Sequence, residues 1–394
     1  MLAACGSGSA PVVGAVEYSG PPGSVQPFLY PLADGRAVLS WLEPAGDSGH
    51  TLRLAVRADD GWGAPVTVVT GATLLNNWAD FPSFVQTETG TWLVHWLDRV
   101  AGGSFAYHVR VAASSDEGRS WTAPATPHRD VSPTEHGFVS MVPLADDSVA
   151  VIWLDGRAMA LADGAPDGDM QLRFGTVTGS GVATDVASLD RRTCECCQTA
   201  LVRTASGMVA AYRDRSAEEV RDIAIVRYAE GRWSDPSYVA DDGFYYPGCP
   251  VNGPQLAATG DTVVLAWYTA PAQRARVQVA RSEDGGATWS APVRVDLGDP
   301  LGRVDIELLP DGAAFVVWLE RTPDAAAVLG RRIAPSGGRS DPVTIAITDA
   351  SRGSGFPRTA RIGDTVLVAW HDMEGEGAVQ VRTVRRTGGQ PDGR

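Results

Sequence analysis

The sequence predicts an all-β fold, a single β-propeller of seven four-stranded blades, and three observations lead there. One pattern recurs seven times along the 394 residues: a turn, a short apolar strand, an aromatic residue and a polar loop. The aromatics are Trp41, Trp96, Trp153, Tyr212, Trp267, Trp318 and Trp370, spaced by 55, 57, 59, 55, 51 and 52 residues. These units fill nearly the whole chain without a linker. A chain beyond the ~250–300 residues that one core can serve is thus read as a ring of small cores rather than several domains. Finally, 44 Gly and 26 Pro without a collagen period supply the turns that so many short strands need.

The elements follow in order. Residues 1–10, MLAACGSGSA, carry Leu2-Ala3-Ala4-Cys5, which resembles the lipobox of bacterial lipoproteins, followed by a Gly-Ser tether. The expectation is lipidation at Cys5 and export to the bacterial cell envelope or periplasm. The charged and apolar segment that precedes a lipobox is missing, so a start further upstream is expected. Residues 11–386 form the propeller. Within a unit, the strand before the aromatic one reads as PSFVQTET, GFVSMVPL or VDIELLPD, the third as YHVRVAAS or VQVARSED, and the fourth as PVTVVT or PVTIAI. The last unit has a third strand, GAVQVRTVRR, and then TGGQPDGR (387–394), a disordered tail. PVVGAVEY near the N-terminus matches the outer strands and is expected to close the ring by supplying the missing one.

Two turns between third and fourth strands, Ser282-Glu283-Asp284-Gly285-Gly286-Ala287-Thr288-Trp289 and Ser114-Ser115-Asp116-Glu117-Gly118-Arg119-Ser120-Trp121, resemble the Asp-box of the sialidase-like (BNR-repeat) superfamily. Asp60-Gly61-Trp62 and Gly231-Arg232-Trp233 are degenerate versions. The resemblance implies a propeller, with a six-bladed sialidase-type ring as the alternative to seven, and places the Asp-boxes opposite the functional face. It also implies the machinery of sialidases: an Arg triad for a carboxylate, a Tyr nucleophile assisted by Glu, and an Asp acid/base. Arg157, Arg213, Arg215, Arg221, Arg321, Arg352 and Arg358 are candidate clamps, with Tyr245-Tyr246 and Glu218-Glu219 nearby. The Phe/Tyr-Arg-Ile-Pro element is absent, however; blade one offers Gln26-Pro27-Phe28-Leu29.

In a propeller, the loop leading into each blade and the loop after each aromatic strand share one rim. That rim collects Asp80, Glu135, His136, Asp155, Arg157, Arg213, Asp214, Arg221, Asp222, Asn252 and His371, the candidate ligand-binding residues. Arg-Asp pairs such as Arg213-Asp214 and Arg221-Asp222 also read as staples between loops, and Glu135-His136 and Trp78 with Asp80 as loop anchors. Four cysteines, Cys194, Cys196, Cys197 and Cys249, fall in the lead-in loops of blades four and five. Their motifs, Cys-Glu-Cys-Cys-Gln and Gly-Cys-Pro-Val-Asn-Gly-Pro, resemble those of a group of bacterial sialidase-like proteins. Clustered thiolates suit Cu(I) or Zn²⁺; two disulfides, or a redox-active mixture, are the alternatives. A net charge of −14 excludes a nucleic-acid partner, and no apolar run reaches the ~20 residues of a spanning helix, leaving only a lipid anchor for membrane contact. The reading is an exported monomer that binds a soft metal or a small or glycan ligand on its cysteine-bearing face. The alternatives are an exo-sialidase-type glycoside hydrolase and a non-catalytic protein-interaction platform. The catalytic residues, if any, are unassigned.

Overall fold

A computed structural model describes residues 11–159, 161, 162, 165, 166 and 168–386. The anticipated lipobox, Cys5 and the tail at 387–394 lie outside the described residues. Seven antiparallel sheets surround a central channel, each led by its innermost strand: Val25–Pro31, Ser83–Gln86, His136–Pro143, Ala200–Arg203, Gln255–Thr259, Pro300–Leu308 and Arg358–Ile362. The aromatic strand of each blade pairs with that inner strand, and the third strand pairs with the aromatic one. The ring is seven-bladed rather than six.

The outer strands are less regular than the repeat suggests. Blade two has no named fourth strand; Val111 and Ala125 form a lone bridge there. Blade four splits its edge into Arg232–Trp233 and Ser237–Tyr238, and blade five keeps only Val293–Arg294. Prolines at 124, 127, 133 and 236 remove backbone donors from the first two of these edges. Ring closure is as the sequence predicts. Pro11–Ser19 pairs antiparallel with Ala378–Arg386, Val13 opposite Val384 and Tyr18 opposite Val381.

The repeated aromatic residue forms the seams between blades. Among the described residues, buried apolar side chains form seven clusters, and each holds the aromatic of one blade packed on the strands of the blade before it. Trp96 sits among Leu52 and Leu54, Trp153 among Leu93 and Val109, and Trp267 among Val209 and Ile225. Trp318 lies against Val277, Trp370 against Phe315, Tyr212 against Phe174, and Trp41 closes the ring on Leu367. Burying an aromatic of ~150–250 Å² contributes about 4–6 kcal/mol as an upper bound. Several ring N–H groups are also satisfied: Trp153 donates to Asp155 at 2.7 Å, Trp318 to Glu320 at 2.6 Å and Trp41 to Glu43 at 3.1 Å.

Both Asp-boxes adopt the same geometry. Asp284 accepts from the Thr288 backbone N–H (2.8 Å) and hydroxyl (2.6 Å), while the Gly286 N–H donates to Ser282 Oγ (2.8 Å). Asp116 accepts from Ser120 in the same two ways, and Gly118 donates to Ser114 Oγ. Gly118 and Gly286 have φ of 80° and 81°. A Cβ on Gly286 would also meet Val209 at 3.0 Å, so the turn needs glycine twice over.

Candidate functional site

The rim is built from lead-in loops that are stitched blade to blade. Gln26 of blade one donates to Asn77 O at 2.7 Å. Asp80 of blade two accepts from the Phe138 N–H of blade three at 2.8 Å. Gln198 of blade four donates to Ala79 O (2.6 Å) and accepts from the Gly253 N–H of blade five (2.9 Å). Asn252 accepts from the Arg303 N–H of blade six (2.6 Å), and Asp305 from the Thr359 N–H of blade seven (2.7 Å). Non-glycine residues with positive φ, Gln26, Phe138, Val251 and Arg303, recur at these lead-in positions. Below them the channel encloses about 430 Å³, lined in part by Asp80, Phe81, Gln198, Asp305, Glu307 and Arg358. Arg358 is held between the Phe28 and Phe81 rings, 5.3 Å from each, facing Asp305 at 3.4 Å.

The four cysteines meet where blades four and five adjoin. Cys196 and Cys249 form a disulfide with Cα atoms 5.9 Å apart. Cys194 and Cys197 are free and almost fully buried, their sulfurs 3.1 Å apart, and Cys194 Sγ lies 3.8 Å from Cys196 Sγ. The sulfurs of Cys194, Cys196 and Cys197 all lie within 4.8 Å of one another. The two loops converge because each is anchored at its base. The Cys194 N–H donates to Arg213 O at 3.0 Å, and Gly253 approaches the Gln198 backbone so closely that a Cβ there would meet its carbonyl oxygen at 2.0 Å. Burial pushes the Cys194 thiol up. Burial also opposes ionisation of Cys197, but the hydrogen bond from Cys194, the Arg213 guanidinium, a backbone contact at Asn252 and Arg221 outweigh it and draw that thiol down to about 7.

Around the sulfurs, an ionic net ties three loops together. Arg221, buried, donates to Glu195 (3.0 Å), Glu219 (2.8 Å) and Tyr246 O (2.9 Å). Arg215 pairs with Glu219 at 2.6 Å and also with Glu195. Towards blade two, Glu135 accepts from the Tyr107 hydroxyl, which also reaches Asp80 at 3.3 Å. Burial raises both acids, Glu135 to about 7 and Asp80 to about 8, and the charge of the neighbouring Glu135 adds to the shift of Asp80.

Most of the other anticipated ligand residues serve the fold. Arg213 is 1% exposed and spends its donors on three backbone carbonyls, Asn252 O (2.9 and 2.7 Å), Arg221 O (2.5 Å) and Tyr268 O (2.6 Å). Asp222 accepts from the Gly243 and Phe244 N–H groups, both at 2.8 Å. Asp214 accepts from Tyr238 at 2.5 Å, and the buried Asp155 binds Arg157 and Trp153. His371 Nδ1 is 2.7 Å from Gly353 O. The structure therefore places Asp80, Asp155, Arg213, Asp214, Asp222, Asn252 and His371 in loop architecture. The carbonyl bonds of Arg213 and the acid pairs of Arg221 leave these two out of an open arginine clamp.

His136 belongs to a group the sequence did not reveal. Its ring stacks on His128 (centroids 4.1 Å apart), and His108 stands edge-on to both at 4.9 Å. Asp130 lies 3.0 Å and Asp155 3.5 Å from His136 Nε2. Burial holds His128 down to about 3, with His136 adding to the effect. Among the described residues, no histidine joins the sulfur group. His108, His128 and His136 are spread over 29 residues, and only the docking of blade two on blade three unites them.

No protein family and no curated protein matches the sequence. Solved structures do match. The α-L-arabinofuranosidase Arb93A of Fusarium graminearum superposes with a TM-score of 0.53 at 14% identity, over 97% of this chain and 98% of that one. Polysaccharide lyase Uly1 gives 0.51 at 8% identity, covering 98% and 91%. The intramolecular trans-sialidase of Ruminococcus gnavus gives 0.47 at 11% identity, covering 98% and 99%. At these identities the likeness is one of fold. What this chain shares with them is the β-propeller architecture, here of seven blades.

Proposed function

We propose that the rim between blades four and five is a thiolate site for a soft cation, Cu(I) or Zn²⁺, on an exported protein tethered through Cys5. The observation that carries this reading is the convergence of three sulfurs within 4.8 Å, with Cys249 delivered to the same point from the next blade. Thiolates around one Zn²⁺ at ~2.3 Å stand about 3.8 Å apart, the scale of the Cys194–Cys196 separation. The cations Arg213 and Arg221 favour ionised sulfur beside them. Cys194, Cys196, Cys197 and Cys249 would all ligate only after the Cys196–Cys249 bond is reduced. Reduced, anaerobic protein should take up about one Cu(I) or Zn²⁺ per chain, release protons as it does so and bind more weakly at low pH. Cys197→Ser and Cys249→Ser should each abolish uptake; uptake unchanged in both would sink the proposal.

A second reading, a glycan ligand on the same face, is supported by exposed aromatics: Tyr245 (63%) and Tyr246 (42%) stand beside the cysteine loops. The fold neighbours include enzymes named for arabinofuranoside and polysaccharide substrates. Sialoside hydrolysis is not expected, because the Phe/Tyr-Arg-Ile-Pro element is absent and Arg213 and Arg221 are engaged. Turnover of a fluorogenic sialoside would overturn that expectation.

A further inference from the structure

We propose that the four cysteines exchange disulfide partners, the buried Cys194/Cys197 dithiol reducing the outer Cys196–Cys249 bridge and thereby delivering two electrons to the surface of the rim. The proposal concerns the same residues as the metal site but does not require a metal.

The placement of the sulfurs carries it. Cys194 touches both partners it would need, 3.1 Å from Cys197 Sγ and 3.8 Å from Cys196 Sγ. The two pairs also differ in access. Cys194 and Cys197 are 0% and 1% exposed, whereas Cys249 lies on the surface and Cys196 is half-buried. A staple has no use for a second, reduced pair in contact with it. Here the inner pair has the Cys-x-x-Cys spacing, Cys194-Glu195-Cys196-Cys197.

The chemistry balances without an outside reagent. Cys197 first gives its proton to water; Cys194 then passes its own proton to the Cys197 thiolate, and the Cys194 sulfur attacks Cys196 Sγ. The Cys196–Cys249 bond breaks, a Cys194–Cys196 bond forms, and Cys249 leaves as a thiolate that takes a proton from water. That bridge between residues two apart is strained and short-lived. Cys197 then loses its proton to water and attacks Cys194 Sγ, forming Cys194–Cys197 and releasing Cys196, which is protonated in turn. One disulfide and two thiols enter and leave; two electrons move from the inner pair to the outer. An external protein dithiol acting on the accessible bridge would supply two further electrons and leave all four thiols free. The exchange thus sets which sulfurs are free, and the external reduction how many of them the rim offers to a cation.

The test uses the full chain, chelator-washed, reduced without oxygen and returned to one disulfide per chain with a single equivalent of diamide. Exchange predicts that N-ethylmaleimide, with no reductant present, labels Cys249, and that non-reducing peptide mapping finds Cys194–Cys197 bridged in the labelled molecules. Cys194→Ser and Cys197→Ser should each slow that labelling at least tenfold. The wild-type mapping decides the matter even if a variant fails to fold. A Cys196–Cys249 bridge that persists without labelling overturns the proposal, as does Cys249 labelled while Cys194 and Cys197 remain thiols. Cu(I) titration of the fully reduced chain is read separately. Exchange without uptake removes the metal reading alone, and uptake without exchange removes this one.

Discussion

The Asp-box turn Ser282–Trp289 and the cysteine rim lie at opposite ends of blade five and solve the same problem, a polar loop with many donors, in opposite ways. In Ser282–Trp289 the carboxylate, the hydroxyls and the backbone donors satisfy one another within eight residues. On the rim, Arg213 reaches Tyr268, Gln198 reaches Ala79, and Cys196 bonds Cys249, partners 53 to 119 residues away. Locally satisfied loops repeat and are replaceable. Loops satisfied from other blades bind the ring together and bring reactive groups into contact.

The strongest way to break this contrast is at the longest-range contact. Deleting residues 11–19 strips the outer strand from Ala378–Arg386 and removes Tyr18 from its packing on Trp41 and Trp62. The expected cost is on the order of 5 kcal/mol, seen as early, global loss of near-UV circular dichroism on heating. Melting confined to blade seven would show that the ring does not act as one unit. Next in size, Arg213→Ala leaves three buried carbonyls without their donor, so at least about 3 kcal/mol should be lost in urea unfolding. A loss below about 1 kcal/mol would mean that water replaces the guanidinium and that the rim is looser than its bonds imply.

The same contrast predicts opposite responses to pH. Burial raises Asp80 to about 8 and Glu135 to about 7, so the folded chain keeps protons that the unfolded chain gives up near pH 4. Stability from these groups is complete below about pH 4 and is lost as pH rises towards 8. In the Asp-boxes, hydrogen bonds from Thr288 and Ser120 lower Asp284 and Asp116 to about 2. Their contribution is present above about pH 4 and is lost as pH falls towards 2. Between pH 5 and pH 8 the chain should lose at least about 1.4 kcal/mol, the equivalent of one pKa unit, and Glu135→Gln should reduce that slope. A stability flat across this range in the parent chain would refute the raised titration of the buried pair.

How far each region was legible follows from the same distinction. The aromatic spacing gave the blade count because every unit solves one local packing problem, and Ser282–Trp289 announced its turn because all its partners are adjacent. The closing strand was readable too, since PVVGAVEY matched the piece the last unit lacked. The meeting of Cys194–Cys197 with Cys249 followed from blade order, but which sulfurs bond depends on side-chain directions in two irregular loops. Arg213 looked like a ligand clamp because its sequence neighbours, Tyr212 and Asp214, say nothing of Asn252 or Tyr268. A signal was present: it ends the wholly apolar run Met208–Tyr212, which places it at the buried end of a strand. His108 and His128 carried no such signal.

The smallest expected effect is the sharpest check on the comparison. Asp284→Ala removes the acceptor for the Thr288 N–H and hydroxyl, where Thr288 is exposed and water can take its place, and frees the hydroxyl of the buried Ser282. The scaffold on either side is independent of the carboxylate: Gly286 still donates to Ser282, and Trp289 still packs among Val209 and Trp267. The expected outcome is a Tm lower by only about 2–4 °C, with unchanged labelling of Cys249 at the far end of the ring. The second readout gives the test its force. Blade five carries this box between its third and fourth strands and the Cys249 loop at its leading edge, so a blade that transmitted strain from one face to the other would alter both. If Asp284→Ala changes thiol reactivity by tenfold while costing only a few degrees, the two faces are coupled through the blade, and the separation of a replaceable face from a reactive one fails.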